Sequence, residues 1–127
     1  MPIIMDRLAT LNPPPVQSPL PILIGGGGEK VTLRIVAQYA TIWNGQGEPD
    51  VLRRKNRILD EWCAKVGRDP NEMERSAQIF GPQLDKLDEY LAEGITHFIC
   101  DATGPDYDLA PLRKLMDWRA RQACRSA

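Results

Sequence analysis

The sequence holds a single histidine, His97, among 127 residues. It has no Cys-x-x-Cys pair, so nothing points to a structural zinc site, and no metal is expected. Its three cysteines, Cys63, Cys100 and Cys124, are odd in number and far apart. That is no disulfide framework, and a reducing cytoplasm is the expected setting. No apolar run approaches the ~20 residues of a membrane helix. The opening Met1-Pro2-Ile3-Ile4-Met5-Asp6 has no basic region and no small-residue cleavage site. Neither a signal peptide nor a membrane partner is expected. Charge of one sign is missing too: 16 Lys plus Arg against 17 Asp plus Glu leave a net −1. Nucleic-acid proteins usually carry a basic surplus, so nucleic acid is not expected as a partner. What is present is 43% hydrophobic and 26% charged residues, the balance of a globular domain with a real core.

Residues 12 to 21 read NPPPVQSPLP, with five prolines in ten positions. Such a stretch forms neither helix nor central strand, so residues 1–21 are expected to be an extended lead-in. Pro21-Ile22-Leu23-Ile24 then reads as a short strand buried on both faces, as in a parallel sheet. After Gly25 to Gly28, a helix is expected from Glu29, with Leu33, Val36, Ala37 and Ala40 on its apolar side. Thr41 to Asn44 reads as a second strand, closed by Gly45-Gln46-Gly47. A helix from about Pro49 to Val66 carries Val51, Leu52, Leu59, Trp62, Cys63 and Val66 as its stripe. Gly67 caps it, and Pro70 prevents continuation. A third strand, Glu74 to Phe80, turns Ala77 and Ile79 inward. A helix opened by Gly81-Pro82 follows, with Leu84, Leu87 and Leu91 on one face. Ile95 to Cys100 is the fourth strand. Asp108 is placed to cap a last helix carrying Leu109, Leu112, Leu115 and Met116. Strand and helix alternate four times over residues 22–123, with 124–127 as a frayed tail. That alternation means parallel strands with crossover helices, in an open sheet or part of a barrel.

The chemically suggestive segment is Ile22-Leu23-Ile24-Gly25-Gly26-Gly27-Gly28-Glu29-Lys30. A strand enters, glycines turn, and a helix leaves. Glycines let backbone approach a ligand, and a helix start offers free N–H groups. The run either cradles a phosphate or other anion, or is only a tight turn; the pattern leaves both open. It is no P-loop, because Glu29 separates Gly28 from Lys30 and Val31 follows. It is no dinucleotide fingerprint, because Lys30 or Val31 stands where the last glycine is needed. Asn44 also ends the second strand where a ribose-binding acid would usually stand. A generic nucleotide-binding domain is therefore disfavoured.

The words PILIGGGGEKVTLRIVAQYATIWN resemble the C-terminal half of luciferase-like flavin monooxygenases and oxidoreductases. The subgroup using the deazaflavin coenzyme F420 is the most similar. Further words agree in the same order: Pro15 to Pro21, Tyr39-Ala40 with Trp43-Asn44, Cys63 with Val66-Gly67-Arg68-Asp69-Pro70, and Glu74-Arg75-Ser76. The resemblance covers roughly residues 13 to 118. It implies the last four strand-helix units of a (β/α)8 barrel, with ligands met at the C-terminal ends of the strands. It implies that Gly25, Gly26, Gly27 and Gly28 hold the phosphate-bearing tail of F420 or, alternatively, of flavin mononucleotide (FMN). Glu29 inherits a cofactor-binding place as well, although its charge suits orienting the loop better than meeting a phosphate. Asn44 stands at a strand's C-terminal end, where barrel ligands are met. Trp43 reads first as core packing.

A full barrel of this kind needs ~250 residues. The resemblance therefore implies a truncated or internally shortened relative, with Phe80-Gly81-Pro82 joining the third strand directly to its helix. Much of the ring pocket and the proton-handling residues would lie in the other half, and no catalytic acid or base is singled out. Four strands do not close a barrel, and an isolated half would expose two sheet edges and an apolar inner face. A second copy in a homodimer, or a complementing half-barrel chain, would complete it. The alternative is a non-catalytic remnant or subunit. Among other residues, His97 lies mid-strand and reads as structural or partly exposed. Asp101 ends the fourth strand and either meets a ligand or caps the loop. Cys100 reads as a small buried side chain. Arg53-Arg54-Lys55-Asn56-Arg57, Asp85, Asp88 and Glu89 read as solvated helix faces.

Overall fold

The structure is a computed structural model that describes residues 1–125. Four short strands form one parallel sheet in the order β1-β2-β3-β4. They are β1 (Leu23–Gly25), β2 (Ile42–Gln46), β3 (Glu74–Ile79) and β4 (His97–Cys100). Helix α1 (Pro2–Ala9) precedes the sheet. Helices α2 (Thr32–Tyr39), α3 (Pro49–Val66), α4 (Leu87–Ala92) and α5 (Ala110–Arg125) follow the strands in turn. Every neighbouring pair is parallel, as crossover helices require. The four strand-helix units are therefore present as expected.

All the helices of the units cover one face of the sheet. Leu33, Val36, Ala37 and Ala40 bury against Trp43, Leu52, Leu59, Cys63, Ala77 and Ile79, all at 0–1% exposure. Period-two alternation decides which face each strand residue takes. In β3, Ala77 and Ile79 enter the core beside Trp43 of β2. Arg75 follows the same side and reaches Asp60 on α3 at 2.6 Å. Gly45 is required by this packing: a Cβ there would lie 2.8 Å from both Leu52 Cδ2 and Trp43 Cη2. Tyr90 seals the far side, donating its hydroxyl to the Gly47 carbonyl at 2.8 Å. Burial pushes that phenol up to about 12.

The opposite face corrects an expectation. It is polar rather than apolar: Asn44, Gln46, Glu74, Ser76, Gln78 and His97 alternate with the core positions. Only Leu23, Ile42 and Ile99 interrupt them. The strands are therefore not buried runs; they carry one dry and one polar face. Both sheet edges, β1 and β4, are open.

Other boundaries shift for local reasons. The lead-in is not wholly extended: Pro2–Ala9 is helical, with Pro2 in the first turn where its missing N–H costs nothing. Residues 12–21 remain without regular structure, as their prolines dictate. Helix α2 starts at Thr32, not Glu29, because residues 26–31 wrap first and Gly28 O accepts the Leu33 amide. Strand β2 runs on to Gln46, past Asn44. After β3 a 3-10 turn, Gly81–Asp85, precedes α4. Its tighter winding shifts the helical phase, so Tyr90 is buried and Leu91 is 38% exposed. The last helix includes Cys124 and Arg125, and residues 126–127 of the expected tail lie outside the described residues. Asp85 and Asp88 are not simply solvated: Asp85 pairs with Lys114, and Asp88 accepts from Trp118 and Gln122, which docks α5. Cys100 is only partly buried.

Gly45→Ala is expected to lower unfolding stability by roughly 1–3 kcal/mol, the usual cost of overpacking. Urea unfolding checks it, and an unchanged midpoint would mean that the β2–α3 contact is looser than described.

Candidate functional site

The glycine run lies at the C-terminal end of β1, where barrel ligands are met. Gly25 pairs with Asn44 in the last rung of the β1–β2 ladder. Gly26 adopts φ 121°, a conformation that a side chain would strain. Its amide donates to Asn44 O at 3.1 Å. Its carbonyl accepts the Trp43 indole N–H at 2.8 Å. Trp43 is thus core packing and loop anchor together.

Helix α3 supplies the other anchors. Lys55 Nζ donates to Gly27 O at 2.7 Å and to Glu29 Oε1 at 2.8 Å. Arg54 meets the same carboxylate oxygen at 2.7 Å. Trp62 donates its indole N–H to Glu29 O at 2.8 Å. Glu29 is therefore tied into the loop's frame by two cations, and its carboxylate faces them. The Lys55 hydrogen bond, then the Arg54 one, holds its pKa below the ordinary 4.5. The basic run is not a plain solvated face. Besides Lys55 and Arg54, Arg53 pairs with Glu93 at 2.6 Å and Asn56 donates to Glu93 O at 2.9 Å.

Among the described residues no acceptor meets the amides of Gly27 and Gly28. They lie beside two side-chain cations that share one carboxylate, so the local charge is positive. A hollow of ≈ 420 Å³ opens here, lined by Gly25 to Gly27, Trp43, Asn44, Gln46, Lys55 and Gln78. It brings Gly25, Gly26 and Gly27 together with Asn44, while Gly28 and Glu29 are not among its lining residues. Lys55, Gln46 and Gln78 are additions that the sequence reading missed.

The remaining candidates fall elsewhere. His97 is not mid-strand: it opens β4 at the N-terminal end and faces Glu74, with Nδ1 3.5 Å from Oε2. Asp101 accepts from Gln78 Nε2 at 3.3 Å, at the same end of the sheet as the glycine loop. Cys63 is buried on α3, and burial pushes its thiol up, which makes it inert.

No protein-family model matches the chain, and no curated protein matches it. A solved structure does. It is an F420-dependent secondary alcohol dehydrogenase in complex with an F420-acetone adduct, similar at a TM-score of 0.61 and 13% identity. The alignment covers 77% of this chain and 47% of that one. This chain has the fold of a half-barrel. It spans less than half the length of that enzyme, and a likeness at this identity is one of fold.

The ion pair at the loop sets a pH dependence. A carboxylate held below its unfolded value stabilises the fold above that value, and the contribution is lost as pH falls through the folded value. The melting-temperature gap between the wild type and Glu29→Gln should stay constant down to about pH 5 and shrink below the ordinary glutamate value of 4.5. A gap that is flat through the acid range would mean that Glu29 is not paired.

Proposed function

We propose that the chain is a luciferase-like oxidoreductase half-barrel whose Gly25–Gly28 loop holds the phosphate-bearing tail of coenzyme F420, with FMN as the alternative. One observation carries this reading. The loop is already folded around free Gly27 and Gly28 amides beside the Lys55 and Arg54 cations, at the ligand-binding end of the strands. The residues fit an anionic tail: Gly27 and Lys55 line the hollow, and Glu29 is already engaged by Lys55 and Arg54. Gly25 to Gly28 and Lys55 would hold the phosphate, and Asn44 would meet the chain attached to it. Glu29 positions Lys55 and the loop. The bound coenzyme would supply hydride transfer, and the protein binding and orientation. Three free cysteines accord with a cytoplasmic setting.

The second reading, a non-catalytic remnant or a subunit needing a partner, is favoured by the open β1 and β4 edges. Pairing β4 of one copy with β1 of another would close eight strands around a twofold axis, and a complementing half-barrel chain would serve equally. Light scattering separates these outcomes from a lone chain.

Coenzyme fluorescence, followed while protein is added to F420 and separately to FMN, tests the proposal. Saturable binding of at least one is expected. Gly26→Val and Lys55→Met should each weaken it about tenfold or more, the worth of one charge-assisted hydrogen bond. If neither coenzyme saturates, the loop is a structural turn and the second reading stands.

A further inference from the structure

Most of the large apolar side chains left in solvent gather at the two edges of the sheet. Ile3, Ile4, Leu11, Leu20 and Leu23 lie on β1 or before it, and Leu109, Leu112 and Met116 lie on or at the start of α5, which follows β4. β1 and β4 are the open strands. On α5 the spacing is three, then four, so Leu109, Leu112 and Met116 form one ridge. They are 44%, 38% and 61% exposed. A different face of the helix docks it on its own sheet: Leu115 and Trp118 pack on the core, and Trp118 donates to Asp88. The ridge borders a hollow of ≈ 570 Å³. Phe98, Leu115 and Trp118 line it on the helix side, and His97 and Glu74 on the polar side, so it runs round the free edge of β4. The β1 edge carries the complement. Helix α1 buries none of its residues. Its Met5 and Leu8 line, with Pro14, Pro19, Leu20 and Ile22, an apolar hollow of ≈ 420 Å³. Ile22 is two residues before Ile24, which packs on the core, so this hollow also lies on the helix side.

A ridge beside one free strand and a hollow beside the other are complementary surfaces. Within one copy they cannot meet, because β2 and β3 separate them. Between copies they can, and eight strands make a barrel whose interior side chains fill, so the ring closes at two. We propose that the β4–α5 groove docks β1 and the lead-in of a second copy of this chain, with Leu112 and Met116 seated in the hollow between α1 and the lead-in of that copy. Parallel pairing, as in every rung of the sheet, then sets the side chains. Alternation turns the partner's Leu23 to the polar side beside His97, and the partner's Ile22 and Ile24 to the helix side beside Phe98. This rests on the subunit reading above and names the missing partner. The choice of a second copy over a different half-barrel follows from the chain itself, which carries both halves of the joint.

Sedimentation velocity over a concentration series tests it, with circular dichroism to follow folding. The wild type should run as a dimer of the 14.3 kDa chain, with a dissociation constant of about a micromolar or tighter. Met116→Asp on the ridge and Leu8→Lys in the hollow should each weaken the dimer about tenfold or more, because each buries a charge in the joint. Both residues lie outside the core cluster. Mixed in equal amounts, the two variants should regain dimer: a mixed pair keeps one joint free of either substitution and opposes unlike charges at the other. If the variants unfold as monomers, helicity recovered on mixing reads the same event. A dimer that neither substitution weakens, or that mixing does not restore, would place the contact elsewhere; it would overturn the proposal and leave the subunit reading standing. A wild type that stays monomeric at every concentration and still unfolds cooperatively would overturn both.

Discussion

The glycine-loop edge of this half-barrel depends on Lys55. Its ammonium spans from α3 to the Gly27 carbonyl and the Glu29 carboxylate, with its side chain only 20% exposed. Four glycines in a row are otherwise the most pliable backbone a chain has, and the unmet amides of Gly27 and Gly28 would point nowhere in particular. Lys55, Trp62 and Trp43 fix three consecutive parts of the segment: Gly27 O with Glu29, Glu29 O, and Gly26 O. The entropy of ordering the loop is thereby met in folding rather than at binding, which is what preorganisation means for affinity. Glu29 has a consistent place in this account. It pairs with the cations and keeps Lys55 in position, while the two cations still outweigh it.

The second structural theme is that one sheet has two unlike faces. The helices dry one side with Trp43, Ala77 and Ile79. The other side is a field of amides, a hydroxyl and the His97–Glu74 contact. This explains how an open four-stranded sheet with two free edges avoids exposing a broad apolar surface. It also places the hydrogen-bonding groups where a barrel ligand would lie. Hydrogen bonds from Asn44 to Ser76, from Gln46 to Gln78 and from Gln78 to Asp101 join neighbouring strands through their side chains and stiffen the sheet.

Much of the architecture was legible in the sequence, and the misses have definite causes. The glycine run after Ile22 to Ile24 announced the loop, and alternation of strand and helix announced the sheet. The polar face was also visible in principle: Glu74, Ser76 and Gln78 alternate with Arg75, Ala77 and Ile79. It was passed over because parallel strands are usually buried on both sides. Lys55 was hidden inside a run of basic residues, which composition reads as solvated. Helical spacing would have revealed it, since Lys55 stands three residues after Leu52 and four before Leu59, on the buried stripe itself. Leu91 is expected on the apolar face with Leu84 and Leu87, but the 3-10 turn before α4 changes the phase and buries Tyr90 instead, and no residue pattern signals that turn clearly. The role of Gln46 was not legible, because it depends on a register between three strands.

The preformed loop is the central claim, and backbone ¹⁵N relaxation on the ligand-free protein tests it most directly. The account predicts order parameters for Gly26, Gly27 and Gly28 near the ~0.85 of rigid backbone, matching β2 and β3. Values below about 0.6 at these glycines, with the strands rigid, would show a mobile loop and contradict it.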